Sequence, residues 1–432
     1  MEWFFDFLLL KDPNVRIVVP GVLLLCGMAA MVGCFTYLRK QSLIGDAISH
    51  SVLPGICLAF ILTGEKNPFY FLIGAMATGL LSVVLIEALT RSKLARGDTA
   101  IALLLSVFFG AGIVLLTYIQ HGGNASQAGL DTFLFGKAAS MSMADLQMFL
   151  FSAIVICGTI ILLLRGFSMI SFDEDFAKAA GFPVKTLRVI LSILTVWAVS
   201  TGIQAVGVVL MAALLIAPAL AARMWTNSIR LMLLLAAIFG MVSGYAGAMV
   251  SYAAPQMPTG PWIVVMASII AFFSMFFAPG RGYISQQLER KRNETKMLLE
   301  NILKIFFHIN EKTGAIDKPI LEEDLVNQRS LPGMSMQKGL KILLRKELLI
   351  HTMGAWQLSE TGRVEAQRVV RLHRLWELYL QEYLHLDPDH VHDDAEAIEH
   401  VITPEIEEQL DELLGNPTFD PHHTIIPARD GK

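Results

Sequence analysis

The sequence contains few cysteines, and none is arranged for disulfide or thiolate chemistry. Four cysteines occur in 432 residues, all within apolar runs, and no two of them form a CxxC pair. A single cysteine in an apolar run is most often a small core residue. We therefore expect neither a disulfide framework nor a metal site built from cysteine.

A phosphate-binding loop is also absent, because no GxxxxGK[ST] segment occurs anywhere in the chain. That loop cradles the phosphates of a nucleoside triphosphate. Its absence predicts that the chain has no ATPase of its own, and we expect a transport subunit and not an enzyme. If the protein pumps a substrate, a separate ATPase chain must supply the energy.

Charged residues are scarce in the first 280 residues, where they number 27, whereas the last 152 residues contain 45 of them and nine of the 11 histidines. The mean hydropathy of the whole chain is +0.54, which excludes an ordinary soluble protein. This division predicts a membrane domain followed by a soluble domain. The soluble part has a net charge of −7, unlike the basic surface of a dedicated nucleic-acid binder.

Long apolar runs predict about eight or nine membrane-spanning helices, since roughly 20 apolar residues cross a bilayer. The candidate spans are 17–38, 44–63, 69–90, 100–119, 147–164, 188–203, 205–222, 229–252 and 261–279. Lys and Arg concentrate in every second loop, which places the N-terminus outside and the C-terminal part in the cytoplasm. The sixth and seventh spans are short and adjacent, so a broken or re-entrant helix is the alternative there.

Asp46 and His50 lie in the second predicted span, four residues apart and therefore on one helix face. A carboxylate within a bilayer is costly and should face a partner or an aqueous path. Pro54 lacks an N–H and leaves the carbonyl of His50 without its helical donor. Such oxygen and nitrogen ligands suit zinc, manganese or iron. The alternative is a hydrogen-bonded Asp–His pair that fixes helix packing.

The cytoplasmic loop 166–187 contains a pattern typical of a short helix. Ser171 and Glu174 fit a capping box, and Gly181 supplies a stop. We predict a helix over about 172–180, which serves either as a lid on the loop or as a docking helix for a cytoplasmic motor.

The soluble part begins with a winged-helix order of elements, namely helix, helix, turn, helix and hairpin. Its third helix carries polar and basic residues that either contact DNA or form a solvated face: Gln337, Lys338 and Lys341.

Histidine and glutamate then recur at helical spacing. His373 and Glu377 are one turn apart, and a second group shares one helix face: His392, Glu396, Glu399 and His400. Two such groups predict a metal site, with a charged surface stripe as the alternative.

Three segments, 45–55, 206–218 and 258–261, resemble the permease subunits of manganese/zinc/iron ABC importers, and the likeness covers nearly all of residues 15–280. It implies a homodimeric or paired permease between a cytoplasmic ATPase and an extracytoplasmic metal-binding protein. Asp46 and His50 match the family's translocation-path metal ligands. The loop helix matches the ATPase-coupling element, with Asp173, Glu174, Asp175, Phe176 and Gly181 as its residues.

Residues 295–427 are similar to DtxR-type metal-dependent repressors, most clearly over 391–402 and 415–422. The resemblance implies one metal site from His373, Glu377 and His392, and another from Glu396, Glu399 and His400. The family's first helix supplies a further ligand, and the nearest positions here are Glu300 and Asn301. Glutamate replaces the cysteine of iron-type members at 396, and this harder ligand favours manganese.

We therefore expect an all-α polytopic protein of a bacterial cell membrane, followed by a cytosolic winged-helix and metal-binding/dimerisation domain. The expected bounds are a permease domain at 1–280, a linker at 281–294, a winged-helix domain at 295–366 and a metal-binding domain at 367–432. The expected function is the permease of a divalent-metal ABC importer with a metal-sensing domain. The alternative is a membrane-anchored metal-dependent transcriptional regulator.

Overall fold

The structure, a computed structural model, describes residues 2–65, 67–121, 136, 138–254, 257–314, 319–327, 333–384, 404–415, 417–422 and 424–428. The chain divides into two compact units, Met1–Ser285 and Gln286–Lys432. The first consists of helices, and the second combines helices with a small sheet.

The first unit is built from long apolar helices, eight of which, among the described residues, are long enough to cross a membrane. Its helices are α1 (Glu2–Leu8), α2 (Val15–Leu38), α3 (Ser42–Thr63), α4 (Pro68–Arg91), α5 (Gly97–His121), α6 (Met143–Leu162), α7 (Leu164–Phe172), α8 (Glu174–Ala179), α9 (Val184–Val206), α10 (Val208–Trp225), α11 (Ile229–Ala253) and α12 (Thr259–Phe277). The eight are α2 to α6, α9, α11 and α12. Helix α10 corresponds to the seventh predicted span, and its 18 residues rise about 27 Å, close to the thickness of a bilayer core.

A single residue, Gly207, separates α9 from α10. Its φ of 95° lies in the left-handed region that favours glycine. The Gly207 N–H donates to the carbonyl of Ile203 at 2.9 Å, which closes α9. The two short spans of the sequence prediction are therefore two helices that meet at a one-residue turn, and the first of them is a full-length span.

Glycines let the long helices approach one another closely. A Cβ at Gly55 of α3 would lie 2.1 Å from the carbonyl oxygen of Gly74 on α4, and one at Gly33 of α2 would lie 1.8 Å from that of Leu215 on α10. Burial of apolar surface does not drive helices together in lipid, so close van der Waals packing does. These contacts fix α3 against α4 and α2 against α10.

Replacing Gly55 with alanine should weaken the packing of α3 on α4, because the new Cβ overlaps the Gly74 carbonyl. Overpacking costs about 1–3 kcal/mol, so the thermal unfolding midpoint of the purified chain should fall. Gly158→Ala is the matched control, since no atom lies within 4 Å of a Cβ at that position. Equal midpoints for the two variants would contradict the packing argument.

The second unit combines helices with a three-stranded antiparallel sheet of order β1-β3-β2. The elements are α13 (Tyr283–Thr313), β1 (Ile320–Leu321), α14 (Glu322–Asn327), α15 (Gly333–Arg345), β2 (Leu349–Thr352), β3 (Ala355–Leu358), α16 (Glu360–Leu384) and α17 (Pro404–Leu413). Helix α13 begins at Tyr283, so most of the segment expected as a linker is helical.

The order α13, α14, α15, β2 and β3 follows the predicted winged-helix order. In the hairpin, Leu349 pairs with Leu358 and Thr352 with Ala355, and the turn uses positive φ at Met353 and Gly354. A core of its own holds these elements together, formed by buried residues such as Ile302, Phe306, Leu325, Leu340, Leu343 and Leu358.

Candidate functional site

Asp46 and His50 lie one turn apart on α3. The Asp46 Oδ1 and His50 Nε2 atoms are 3.5 Å apart, and the side chains are 41% and 15% exposed, respectively. The His50 ring packs edge-on against Phe109 of α5, with 4.7 Å between ring centroids. Because 3.5 Å is longer than a well-formed hydrogen bond and Asp46 is partly exposed, the geometry argues against a tight packing pair.

Asp46 and His50 supply two ligands, which is at most half of the number that a transition metal takes in a protein. Within the described part of the chain, no group of three or more His, Cys, Asp or Glu side chains could hold a metal ion. The Nδ1 atom of His50 is buried and lacks a hydrogen-bond partner among the described residues. Transition metals in proteins take four or more ligands, so Asp46 and His50 alone leave the coordination incomplete.

A cavity of about 520 Å³ lies beside the first turns of α3 and has a mixed charged lining. The charged side chains come from several helices and loops: Arg39, Glu87, Asp98, Glu174 and Arg188, among others. Ser42, Ile44 and Ile48 of α3 also line it, so the cavity borders the stretch of α3 that contains Asp46.

The loop helix α8 begins at a different cap from the one the sequence predicted. The Asp173 carboxylate accepts hydrogen bonds from the backbone N–H groups of Asp175 (3.0 Å) and Phe176 (2.9 Å). The Ser171 hydroxyl instead donates to the carbonyl of Phe167 at 2.6 Å. The predicted capping box was wrong because α7 extends through Ser171 and uses its hydroxyl in the last turn.

Glu174 of α8 lies between two arginines of the membrane unit. It is 3.5 Å from Arg39, which follows α2, and it forms a closer ion pair with Arg188 of α9. These contacts tie the loop helix to two spans. Sequence reasoning missed them, since it treated both arginines only as markers of orientation and no periodic pattern links such distant positions.

The remaining predicted residues of α8 lie at its exposed surface or its end. Asp175 pairs with Lys178 at 2.8 Å, and the hydrogen bond from Lys178 lowers the pKa of the Asp175 carboxyl. Phe176 is 58% exposed. Gly181 follows the helix with a φ of 81°, as expected for a residue that ends one.

In the second unit, His373 and Glu377 form a buried pair on α16. Their Nε2 and Oε1 atoms are 3.0 Å apart, and each side chain is 4% exposed. The predicted second group lies outside the described residues: His392, Glu396, Glu399 and His400.

The residue of α13 that reaches this pair is Lys304. Its Nζ lies 3.2 Å from the Nδ1 atom of His373, and the residue is only 1% exposed. The sequence had pointed to Glu300 and Asn301 as the nearest first-helix positions, but Glu300 pairs with Lys296 at 3.7 Å. Helix α13 therefore places a cationic side chain beside Nδ1 of His373.

Buried arginines join α16 to its neighbours. Arg371 is 2.5 Å from Asp411 of α17, and Arg374 is 2.8 Å from Glu311 of α13. These ion pairs hold α16, and with it the His373–Glu377 pair, in a fixed position.

The predicted DNA-contact residues lie on the exposed face of α15. Gln337, Lys338 and Lys341 are exposed, whereas Met336 and Leu340 of the same helix are buried in the core. This amphipathic arrangement agrees with both alternatives, a DNA-binding face and a solvated one.

A polytopic helical unit with a carboxylate–imidazole pair in a span is typical of membrane transport proteins, and the chain contains no ATPase motif. The family follows from comparison with known proteins. Residues 11–278 match the ABC 3 transport family, and the chain belongs to it. Residues 359–428 match the iron dependent repressor, metal binding and dimerisation domain.

Known relatives cover one or both parts of the chain. The manganese transport system membrane protein MntC of Bacillus subtilis (strain 168) is 39% identical over 381 residues, 88% of this chain and 87% of that protein. The zinc transport system membrane protein TroC of Treponema pallidum (strain Nichols) is 42% identical over 284 residues, 66% of this chain and 95% of that protein.

A solved structure, PsaBC from Streptococcus pneumoniae in complex with Fab, is 32% identical with a TM-score of 0.59 and covers 66% of this chain and 99% of that one. The protein is thus a multi-pass membrane permease, not an enzyme, that carries a cytoplasmic domain of the metal-dependent repressor type.

Proposed function

We propose that the protein is the membrane subunit of an importer for a divalent transition metal, with manganese favoured over zinc and iron. The observation that carries the proposal is the Asp46–His50 pair on α3. Carboxylate oxygen and imidazole nitrogen suit these ions, and the carboxylate favours manganese. Relatives named as manganese and zinc transport proteins support the same substrate class.

The remaining metal ligands come from a second permease chain in this proposal. One chain supplies two ligands, and the 41% exposure of Asp46 leaves its carboxylate accessible to another molecule. A two-fold pair of chains would bring two carboxylates and two imidazoles around one ion. An extracytoplasmic metal-binding protein would deliver the ion, which would pass the pair on its way to the cytoplasm.

Asp46→Ala or His50→Ala should reduce metal uptake by about tenfold or more, because even loss of a residue that supports a ligand costs 10–100-fold in metal affinity. Radiolabelled manganese uptake by membranes that contain the whole complex measures the effect. His121→Gln is the control, because this histidine is exposed and its ring nitrogen contacts the Thr117 carbonyl. Normal uptake by both alanine variants would support the packing interpretation instead.

We further propose that α8 is the docking helix for the cytoplasmic ATPase. Phe176 presents a large apolar side chain to solvent, and such side chains often anchor protein interfaces. The ion pairs of Glu174 with Arg39 and Arg188 offer a route by which movement of α8 reaches α2 and α9.

Phe176→Asp should lower the amount of ATPase that co-purifies with the permease, since it places a charge at the proposed interface while the Asp173 cap stays intact. Leu94→Asp is the matched control, because Leu94 is also an exposed apolar residue and lies in a basic loop. If the Phe176 variant co-purifies with a full yield of ATPase, α8 is not the docking helix, and the alternative interpretation as a lid on the loop is favoured.

The C-terminal domain is proposed to sense cytosolic metal and to reduce transport when that metal is abundant. The match of residues 359–428 to a metal-binding domain supports it. His373 and Glu377 are the described ligand candidates. His392, Glu396, Glu399 and His400 are assigned from their spacing in the sequence and from the family resemblance. Coupling free energies between sites are typically about 1–3 kcal/mol.

A membrane-anchored transcriptional regulator is the second candidate, because Gln337, Lys338 and Lys341 are exposed on one helix. The net charge of −7 after residue 280 opposes an approach to DNA phosphates, and the pair in α3 exceeds what a membrane tether requires. We therefore favour feedback on transport.

Glu399→Ala and His400→Ala in the full-length protein should keep manganese uptake high when internal manganese is high, because the sensor then lacks ligands. Glu408→Ala, an exposed acidic position on α17, is the control. Unchanged regulation in both ligand variants, together with specific operator binding by the full-length protein, would favour the regulator.

A further inference from the structure

Lys304 is a buried lysine at the centre of the proposed sensor. It is 1% exposed and lies on α13, among residues such as Leu303 and Ile305 that form the core of the second unit. Burying an ammonium group is costly unless other groups compensate the charge. The His373–Glu377 pair of α16 lies next to this ammonium and contributes to that compensation.

The hydrogen-bond geometry assigns a role to each nitrogen of His373. Lys304 Nζ is 3.2 Å from Nδ1, so Nδ1 is the acceptor for a donor that has no lone pair. The other nitrogen, Nε2, then carries the proton and donates to Glu377 Oε1 at 3.0 Å. The three side chains form one row from ammonium through neutral imidazole to carboxylate.

A metal ion needs a lone pair of the imidazole, and in this row the lone pair of Nδ1 points at the ammonium. Glu377 accepts from Nε2–H, so a metal on the Nε2 side would require removal of that proton. The family's first helix supplies a metal ligand, whereas α13 places a lysine beside His373 here.

We propose that the ammonium of Lys304 occupies the position beside Nδ1 of His373 that a metal ion bound to this nitrogen would take, so that metal ion and lysine compete for His373. This inference rests on the proposed sensing function and deepens it. Metal takes His373 only when the Lys304 side chain leaves, which raises the metal concentration at which the domain responds. It also links metal binding on α16 to the release of a contact with α13.

The test uses the full-length protein in detergent. It carries Asp46→Ala and His50→Ala, so that the proposed metal site of the translocation path binds no Mn²⁺. Free Mn²⁺ gives an electron paramagnetic resonance signal that bound Mn²⁺ loses. A titration therefore measures the free Mn²⁺, which gives the number of bound ions and their dissociation constant. Three chains are compared, with lysine, methionine or arginine at 304. Methionine fills a similar volume without charge, and arginine keeps the charge. Size-exclusion profiles confirm that each chain is folded.

Lys304→Met should bind Mn²⁺ about tenfold more tightly, because the charge-assisted hydrogen bond to Nδ1 no longer competes with the metal ion. Lys304→Arg should show no gain, and adding His373→Ala to Lys304→Met should abolish the gain. Hydrogen exchange over residues 300–308 should increase on Mn²⁺ binding with lysine at 304 and stay unchanged with methionine.

Two results would overturn the competition, and they differ in what they leave standing. In the first, the chains with lysine and with methionine at 304 bind Mn²⁺ equally tightly, and His373→Ala weakens binding in both. The domain would then bind metal through His373 without competition from Lys304. Binding unaffected by His373→Ala in every chain would remove both the competition and the part that His373 plays in the proposed sensor.

Discussion

The lack of water in a bilayer core is the constraint on which the membrane unit depends. Every backbone N–H and carbonyl must be paired within the protein, and helices satisfy this requirement by themselves. The helices then need surfaces that fit closely, which Gly55 and Gly74 provide between α3 and α4. The same constraint makes a polar side chain in a span expensive. The presence of Asp46 and His50 in a span therefore points to a function for them, which the presence of polar residues on a water-exposed surface does not.

Much of the membrane unit could be predicted because its signals are local. Apolar runs give the spans, and the spacing of Asp46 and His50 places them on one face of α3. The start of α8 could not be chosen in the same way, because Ser171 and Asp173 are both good caps. The choice depends on how far α7 continues, and Ser171 is used within it. Local sequence patterns identify the possible N-cap residues, but the end of the preceding helix determines which of them caps α8.

Contacts between distant residues were beyond the sequence reasoning. Glu174 meets Arg39 from 135 positions away, and Lys304 meets His373 from 69 positions away. Lys304 looked like any lysine on an amphipathic helix, and its burial becomes clear only when α13 packs on α16. Both contacts follow one rule: a charge removed from water is matched by charged or polar partners.

The burial of one ammonium also has a consequence for how such a protein can change over generations. Both lysine codons become glutamate or glutamine codons by one base substitution, and AAG becomes the methionine codon in the same way. A single point mutation at position 304 would thus exchange an internal cation for a neutral side chain or a ligand. The metal response of the cytoplasmic domain could drift with the supply of metal in the environment while every residue of the transport path stayed the same.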